Sequence, residues 1–245
     1  MPTPEQSARI REALQRGHVV MGLLASRQND LAVDAQPASQ LAAACQMVAQ
    51  DHHAAILCLM EMQLYASSFA LGRLLWEAYV RGCWLDECAT DAQVRAFANG
   101  GQPPSMKLLI AELEKHDRFA GGTLGRTHRD HWDELCSYTH TGVLQARGWI
   151  SATAIEPNYP DPLVAELVDF ATGIAILSGL AVTALGDHAT LAVELGDAMK
   201  EFGRACAASS ASRRERDAYP VQLWQQRRVQ ALLKVGVPRQ FLQSR

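Results

Sequence analysis

The segment ASSFALGRLLWEAYVRGCWLDEC, residues 66–88, decides the fold that we predict for this chain. Its large apolar side chains, among them Phe69, Trp76 and Leu85, point in nearly every direction around a helical axis. A helix with apolar side chains on all sides needs neighbours on all sides, because none of its faces suits water. We therefore predict a central helix that other helices enclose.

The same helix carries two charged residues that need partners. Arg73 and Glu77 are four residues apart, which places them on one face. Burying either charge alone would cost several kcal/mol, so we expect the two to pair and to attract polar groups from another helix. They form either a buried salt bridge that sets the register of packing or part of a polar pocket inside the bundle.

Helical periodicity extends outward from this segment in both directions. Short breakers such as NGGQPPS, residues 99–105, separate the helical stretches, and short connections favour antiparallel neighbours. Thr123 is a candidate N-cap, and Gly142, free to adopt positive φ, is a candidate helix stop. We predict an all-α antiparallel helical bundle for residues 1–203, with helices over about 4–16, 38–63, 66–88, 91–98, 105–115, 161–184 and 185–203 and one more over 126–142.

Composition limits the class of protein and its location. A hydrophobic content of 48% with 20% charged residues excludes wholesale disorder. The six cysteines form no Cys-x-x-Cys pair and the N-terminus has no apolar signal core, which together predict a cytoplasmic protein with reduced thiols. The uncharged stretch 170–186 is short for a membrane span and contains Gly, Ser and Thr, so we interpret it as a core helix and expect no membrane contact.

The C-terminal segment is strongly basic. Residues 204–245 contain nine Lys or Arg against two acidic residues, a net charge of +7, which leaves −10 for residues 1–203. We predict a linker and then a basic helix, which either contacts nucleic acid or docks on the acidic body of the same chain. Arg213, Arg214, Arg227 and Arg228 are the candidate nucleic-acid-binding residues.

The stretch RTHRDHWDELCSYTHTG, residues 126–142, has the highest density of reactive side chains in the sequence. On a helix, Trp132, Leu135 and Thr139 form its inward stripe, and His140 borders that stripe. We therefore expect His140 to meet Arg73 and Glu77 in space. His131 lies on the opposite face from His140, so the two cannot share a metal ion, and we predict neither a metal nor another cofactor.

One motif in this stretch has a known catalytic use. Arg126 and His131 have the Arg-x4-His spacing of HEPN ribonucleases, in which the two side chains flank a phosphate and promote attack by the ribose 2′-hydroxyl. An Arg followed by a His after four to six intervening residues occurs twice in the sequence, at Arg126/His131 and at Arg11/His18. About two such pairs are expected by chance. The candidate catalytic residues are His140, Arg73, Glu77, Arg126 and His131.

The segments LGRLLWEAYVRGCWL and WDELCSYTHTG together resemble a group of uncharacterised bacterial helical proteins, loosely related to the HEPN and abortive-infection superfamily. The resemblance covers about residues 40–185. It implies an α-bundle, a homodimer and a role with RNA, in antiphage defence or in a toxin system. It singles out Arg73, Glu77, Ser137 and His140.

Two functions follow as hypotheses. The first is a HEPN-like protein that acts on or binds RNA and that, if it is an enzyme, is a metal-independent ribonuclease. The second is a non-catalytic homodimeric interaction protein or small-ligand-binding protein, in which Arg73, Glu77 and His140 hold the core together or line a pocket.

Overall fold

The computed structural model describes residues 8–28, 31–151, 153–186 and 188–216, and the side chains of all of these except 28 and 209–216. Within these ranges the chain forms an all-α antiparallel bundle, as predicted. Its nine α-helices are α1 (Ala8–Gln28), α2 (Pro37–Glu61), α3 (Tyr65–Glu87), α4 (Asp91–Ala98), α5 (Met106–Leu113), α6 (Thr123–Thr139), α7 (Val143–Arg147), α8 (Asp161–Ala184) and α9 (Ala189–Arg216).

Helix α3 is the central helix that its sequence predicts. It packs against α2, α5, α6 and α8. The side chains of Leu75, Trp76, Val80, Trp84 and Leu85 are at most 2% exposed, and they belong to the main hydrophobic core. Leu74 is the exception, with 39% of its surface exposed, so one narrow strip of α3 does reach solvent.

Helix α8 is the second core helix, and its predicted bounds of 161–184 are confirmed. It packs against α1, α2, α3 and α9, and its buried residues occur along its whole length. It is also the one helix of the described residues with the length and apolarity of a membrane span, but 67% of its most apolar window is buried inside the bundle.

The predicted end of the first helix at residue 16 was wrong, because α1 continues through Gly17 to Gln28. A Cβ atom at position 17 would lie 2.6 Å from Leu57 Cδ2. This glycine therefore allows α1 and α2 to pack closely, and it does not end the helix. Arg16, one residue earlier, donates to both carboxylate oxygens of Asp169, which fastens α1 to α8.

The predicted linker that begins at residue 204 is also wrong as far as residue 216, since α9 runs without a break from Ala189 to Arg216. Residues 204–216 contain neither glycine nor proline and are rich in Ala and Arg, both good helix formers. Arg213 and Arg214 therefore belong to a helix. Arg227, Arg228 and the predicted basic terminal helix lie outside the described residues.

Candidate functional site

Arg73 is the centre of a polar cluster between α3 and the C-terminal end of α6. Its Nε donates to Glu77 Oε1 at 2.7 Å, and its Nη1 contacts His140 Nε2. Its guanidinium carbon lies 4.8 Å from the ring centroid of Trp132, a distance typical of a cation–π contact. The predicted meeting of Arg73, Glu77 and His140 is confirmed. We call Arg73, Glu77, Arg81, Trp132 and His140 the Arg73 cluster.

Glu77 holds two arginines at once. Its second oxygen, Oε2, accepts from Arg81 Nη2 at 2.7 Å. The carboxylate therefore pairs with Arg73, one helical turn earlier on α3, and with Arg81, one turn later. The Glu77 side chain is 9% exposed, whereas those of Arg73 and Arg81 are 19% and 35% exposed. The carboxylate is therefore the buried base of the cluster, and the two guanidinium groups extend from it toward solvent.

Two hydrogen bonds to α3 fix the end of α6 and thereby the position of His140. Gln145 Nε2, from α7, donates to the carbonyl of Ala66 at 3.0 Å, and Thr139 Oγ1 shares its proton between the carbonyl of Leu135 in α6, at 2.9 Å, and that of Ala70 in α3, at 3.2 Å. Ala66 and Ala70 are one helical turn apart on α3. The residues on both sides of His140 are thus attached to one face of α3. Arg73 lies one turn after Ala70 on that helix.

The turn after His140 differs from the prediction. Thr141, not Gly142, has positive φ, at 52°, while Gly142 is extended with φ −72° and ψ −178°. Gly142 is required for space, because a Cβ there would lie 2.7 Å from the carbonyl oxygen of Ser137. The Gly142 amide donates to that same oxygen at 2.7 Å. The helix ends near Gly142 as predicted, but the predicted reason, a positive φ at Gly142, was wrong.

The N-terminal end of α6 also differs from the prediction. Thr123 is the first residue of α6 and not, as was predicted, its N-cap. Gly122, with φ 67°, occupies the N-cap position, and no side chain caps the helix there. Instead, Glu114 from the end of α5 accepts from the Gly125 amide at 2.7 Å. A carboxylate suits this place, because the N-terminus of a helix carries partial positive charge.

The contact between Arg73 and His140 assigns the proton on the imidazole. A guanidinium can only donate, so Nε2 accepts with its lone pair, and the proton of a neutral ring is on Nδ1. His140 is exposed to solvent in the bundle. The cluster therefore presents an imidazole beside a fixed cation at the protein surface, an arrangement able to bind an anion and to accept a proton.

Arg126 and His131, the pair with HEPN-like spacing, are not part of the Arg73 cluster. Arg126 donates to the carbonyl of Gly121 and to Thr123 Oγ1 at the start of α6, about 21 Å along the helix axis from His140. His131 is exposed and lies 3.9 Å from Glu134. The structure thus separates the five predicted catalytic residues into one group of three and two isolated side chains.

The remaining polar residues of α6 have local contacts. Ser137 Oγ accepts from the Leu144 amide at 3.1 Å, which joins α6 to α7. The ring of His128 packs on Trp132 with centroids 4.7 Å apart, and burial lowers the pKa of His128 below its usual 6.5, an effect that Asp133 opposes. In the part of the chain that the structure describes, no three His, Cys, Asp or Glu side chains are grouped so that they could hold a metal ion.

Sequence reasoning missed two members of the cluster. Arg81 follows Glu77 by four residues, as Glu77 follows Arg73, so the repeated spacing was a visible signal. Trp132 was assigned only to the inward stripe. Its second role, as the surface on which Arg73 lies, depends on how α6 crosses α3, and the sequence carries no signal for that.

Comparison with known proteins gives one result for this chain. The model of a family of unknown function, DUF6988, matches residues 46–208. No curated protein and no solved structure matches. The matched range begins inside α2 and ends inside α9, and it contains every residue of the Arg73 cluster.

Proposed function

The chain belongs to the DUF6988 family, and we propose that it is a HEPN-like protein that binds and cleaves RNA at Arg73 and His140. The observation that carries the proposal is the contact between the Arg73 guanidinium and Nε2 of the exposed His140. A cation and a base in contact are the two groups that metal-independent cleavage of a phosphodiester needs.

In the proposed reaction, a phosphate of the RNA takes the place of His140 on Arg73. This exchange frees the lone pair of His140 Nε2, which then accepts the proton of the adjacent ribose 2′-hydroxyl. The 2′-oxygen forms a bond to phosphorus, the bond from phosphorus to the 5′-oxygen breaks, and the departing oxygen takes a proton from water. The products are a 2′,3′-cyclic phosphate and a free 5′-hydroxyl.

Glu77 and Trp132 act in this scheme as positioning residues for Arg73. Glu77 accepts from Nε and leaves the outer edge of the guanidinium directed toward His140, while Trp132 lies against the guanidinium. Arg81 places a second cation near the same carboxylate, with its side chain about one-third exposed. Two guanidinium groups on one side of α3 favour an anionic polymer as substrate over a neutral one.

The test is cleavage of a single-stranded RNA oligonucleotide by the full chain in the presence of a chelator. A DNA oligonucleotide of the same sequence should bind and remain intact, because it lacks the 2′-hydroxyl. His140→Gln keeps an acceptor for Arg73 but cannot act as a base at neutral pH. We expect this variant to lower the cleavage rate about 100-fold or more while it retains RNA binding.

His131→Gln is the matched control, since it makes the same substitution on the same helix away from the cluster. Cleavage lost in His131→Gln and kept in His140→Gln would overturn the proposed site and favour the Arg126 and His131 motif. Binding without cleavage by the unmodified chain would reduce the function to RNA binding. If RNA neither binds nor is cleaved, the second hypothesis, a non-catalytic interaction or ligand-binding protein, replaces the first.

We propose a homodimer in the cytoplasm, with a role in antiphage defence or a toxin system. The free thiols of Cys45, Cys58, Cys83, Cys88 and Cys136 suit a reducing compartment.

A further inference from the structure

A cavity of about 310 Å³ opens between α3, α6 and α8. Its walls are the apolar side chains of Phe69, Leu135, Tyr138, Leu163, Leu167 and Phe170. Its volume is at the lower end of the range for small-molecule sites in proteins. By helical periodicity, the residues of α6 that line it lie on the other side of the Leu135 stripe from His140, so it is separate from the Arg73 cluster.

The rim of the cavity is acidic. His131, Glu134 and Glu166 are its polar lining residues. The side chains of Glu134 and Glu166 are 62% and 52% exposed; Glu134 lies 3.9 Å from His131, and Glu166 forms an ion pair with Arg9 at 3.5 Å. Two carboxylates at one opening, in a body whose first 203 residues carry a net charge of −10, attract cations and repel anions.

Three of the wall residues are aromatic. The rings of Phe69 and Tyr138 lie 4.6 Å apart, and Phe170 packs against Trp76 behind the wall. Aromatic faces attract organic cations as well as apolar groups. The site therefore combines an apolar, aromatic interior of limited volume with negative charge at its opening.

We propose that this cavity binds a small organic ammonium compound with an apolar body, such as an arylalkylamine. The apolar body occupies the space between Phe69, Tyr138 and Phe170, and the ammonium group lies at the rim beside Glu134 and Glu166. This binding is independent of the proposed action on RNA, because it uses none of the residues of the Arg73 cluster.

The experiment compares three probes of similar size on the full chain by saturation-transfer NMR and calorimetry. They are 2-phenylethylammonium, the neutral 2-phenylethanol and the anionic 3-phenylpropanoate. We expect the ammonium probe to bind about fivefold tighter than the alcohol, the difference that a partly exposed ion pair provides, and the carboxylate to bind weakest. Glu134→Gln combined with Glu166→Gln should abolish this preference and leave the alcohol's affinity unchanged.

Glu201→Gln on α9 is the matched control, because it removes one exposed carboxylate far along the chain from the rim, and it should retain the ammonium preference. Leu163→Trp should fill the cavity and remove binding of all three probes, with circular dichroism confirming that the variant is folded. Equal or tighter binding of 3-phenylpropanoate would overturn the proposal. So would undiminished binding to a folded Leu163→Trp variant, or the absence of saturable binding of the ammonium probe up to about 10 mM.

Discussion

At the scale of single residues, His53 shows how the chain buries a titratable side chain against a partner from another helix. His53 on α2 is 1% exposed, and its Nε2 lies 3.3 Å from Thr172 Oγ1 on α8. The Thr172 hydroxyl donates to the Val168 carbonyl at 2.8 Å, so its oxygen accepts from His53 and the ring is neutral with its proton on Nε2. Protonation of the ring at Nδ1 would leave this hydrogen bond in place, because both nitrogens of a charged imidazole donate, but it would bury a positive charge between α2 and α8.

This arrangement predicts that acid destabilises the protein through His53. Burial, together with the nearby His18, lowers the pKa of His53 to about 4, against 6.5 for an unperturbed histidine. Protonation then favours the unfolded chain, so the contribution is fully present above pH 6.5 and is lost as the pH falls toward 4. Between about pH 7 and pH 5 the free energy of unfolding should fall by about 2 kcal/mol from this residue alone.

Urea denaturation at a series of pH values measures the effect. His53→Gln should unfold with a shallower dependence on pH over this interval, whereas His131→Gln, which changes an exposed histidine, should keep the slope of the unmodified protein. An identical slope in His53→Gln would show that another group controls the acid sensitivity.

At the scale of elements, the Arg73 cluster and the turn at Thr141 join α6 and α7 to α3. Gln145 donates to a carbonyl of α3, Thr139 shares its hydroxyl proton between carbonyls of α6 and α3, and His140 contacts Arg73 one turn further on. The short loop of Thr141 and Gly142 lets α7 begin directly after α6. Two kinds of contact therefore hold α6 and α7 on α3: hydrogen bonds to main-chain carbonyls of α3, and the charged side chains of the Arg73 cluster.

Removing Glu77 tests how much this charged network contributes to stability. Glu77→Ala leaves Arg73 and Arg81 without their carboxylate. Because both guanidinium groups partly reach water, we expect a loss of about 2 kcal/mol in the free energy of unfolding, less than for a fully buried pair. The measurement is chemical denaturation, with Glu201→Ala on α9 as a control that should change stability by less than about 0.5 kcal/mol.

The size of that loss also bears on the proposed site. A loss above about 4 kcal/mol would identify the cluster as a dry structural salt bridge and contradict its access to RNA. A loss below about 0.5 kcal/mol would mean that Glu77 does not hold Arg73 in place.

At the scale of the whole molecule, charge is distributed unevenly along the chain. The net charge of −10 in residues 1–203 opposes +7 in residues 204–245. The Arg73 cluster and the cavity lie within the acidic part, on α3, α6 and α8. The basic segment begins within α9, so its arginines up to Arg216 lie on a helix.

Changing Arg213, Arg214, Arg227 and Arg228 together to Ala distinguishes the two roles of the basic segment. If the segment binds RNA, affinity should weaken, and the dependence of log affinity on log salt should become shallower by about 0.7 for each phosphate that the variant no longer neutralises. If it docks on the acidic body, thermal stability should fall and RNA affinity should stay the same. The four substitutions to Lys, which preserve charge, provide the control, and no change in either measurement would contradict both roles.

The sequence by itself determined the all-α class, the positions of most helices and the character of the central one. Apolar periodicity is a local property, so residues 66–88 were sufficient to predict an enclosed helix, and the spacing of Arg73 and Glu77 was sufficient to predict their pairing. The same local rules placed His140 beside an inward stripe. They failed where a residue's role depends on a distant neighbour: at Gly17, whose space is needed by Leu57, and at Gly142, whose space is needed by Ser137.

Only the tertiary structure decided which of the reactive side chains meet. Arg73 and His140 are 67 residues apart, and their contact depends on the angle at which α6 crosses α3 and on the hydrogen bonds to Ala66 and Ala70. The acidic cavity likewise takes its lining from three helices. Periodicity fixes the face of a helix on which a side chain lies, but the register and angle between helices are set by packing along their whole length, and no short segment encodes them.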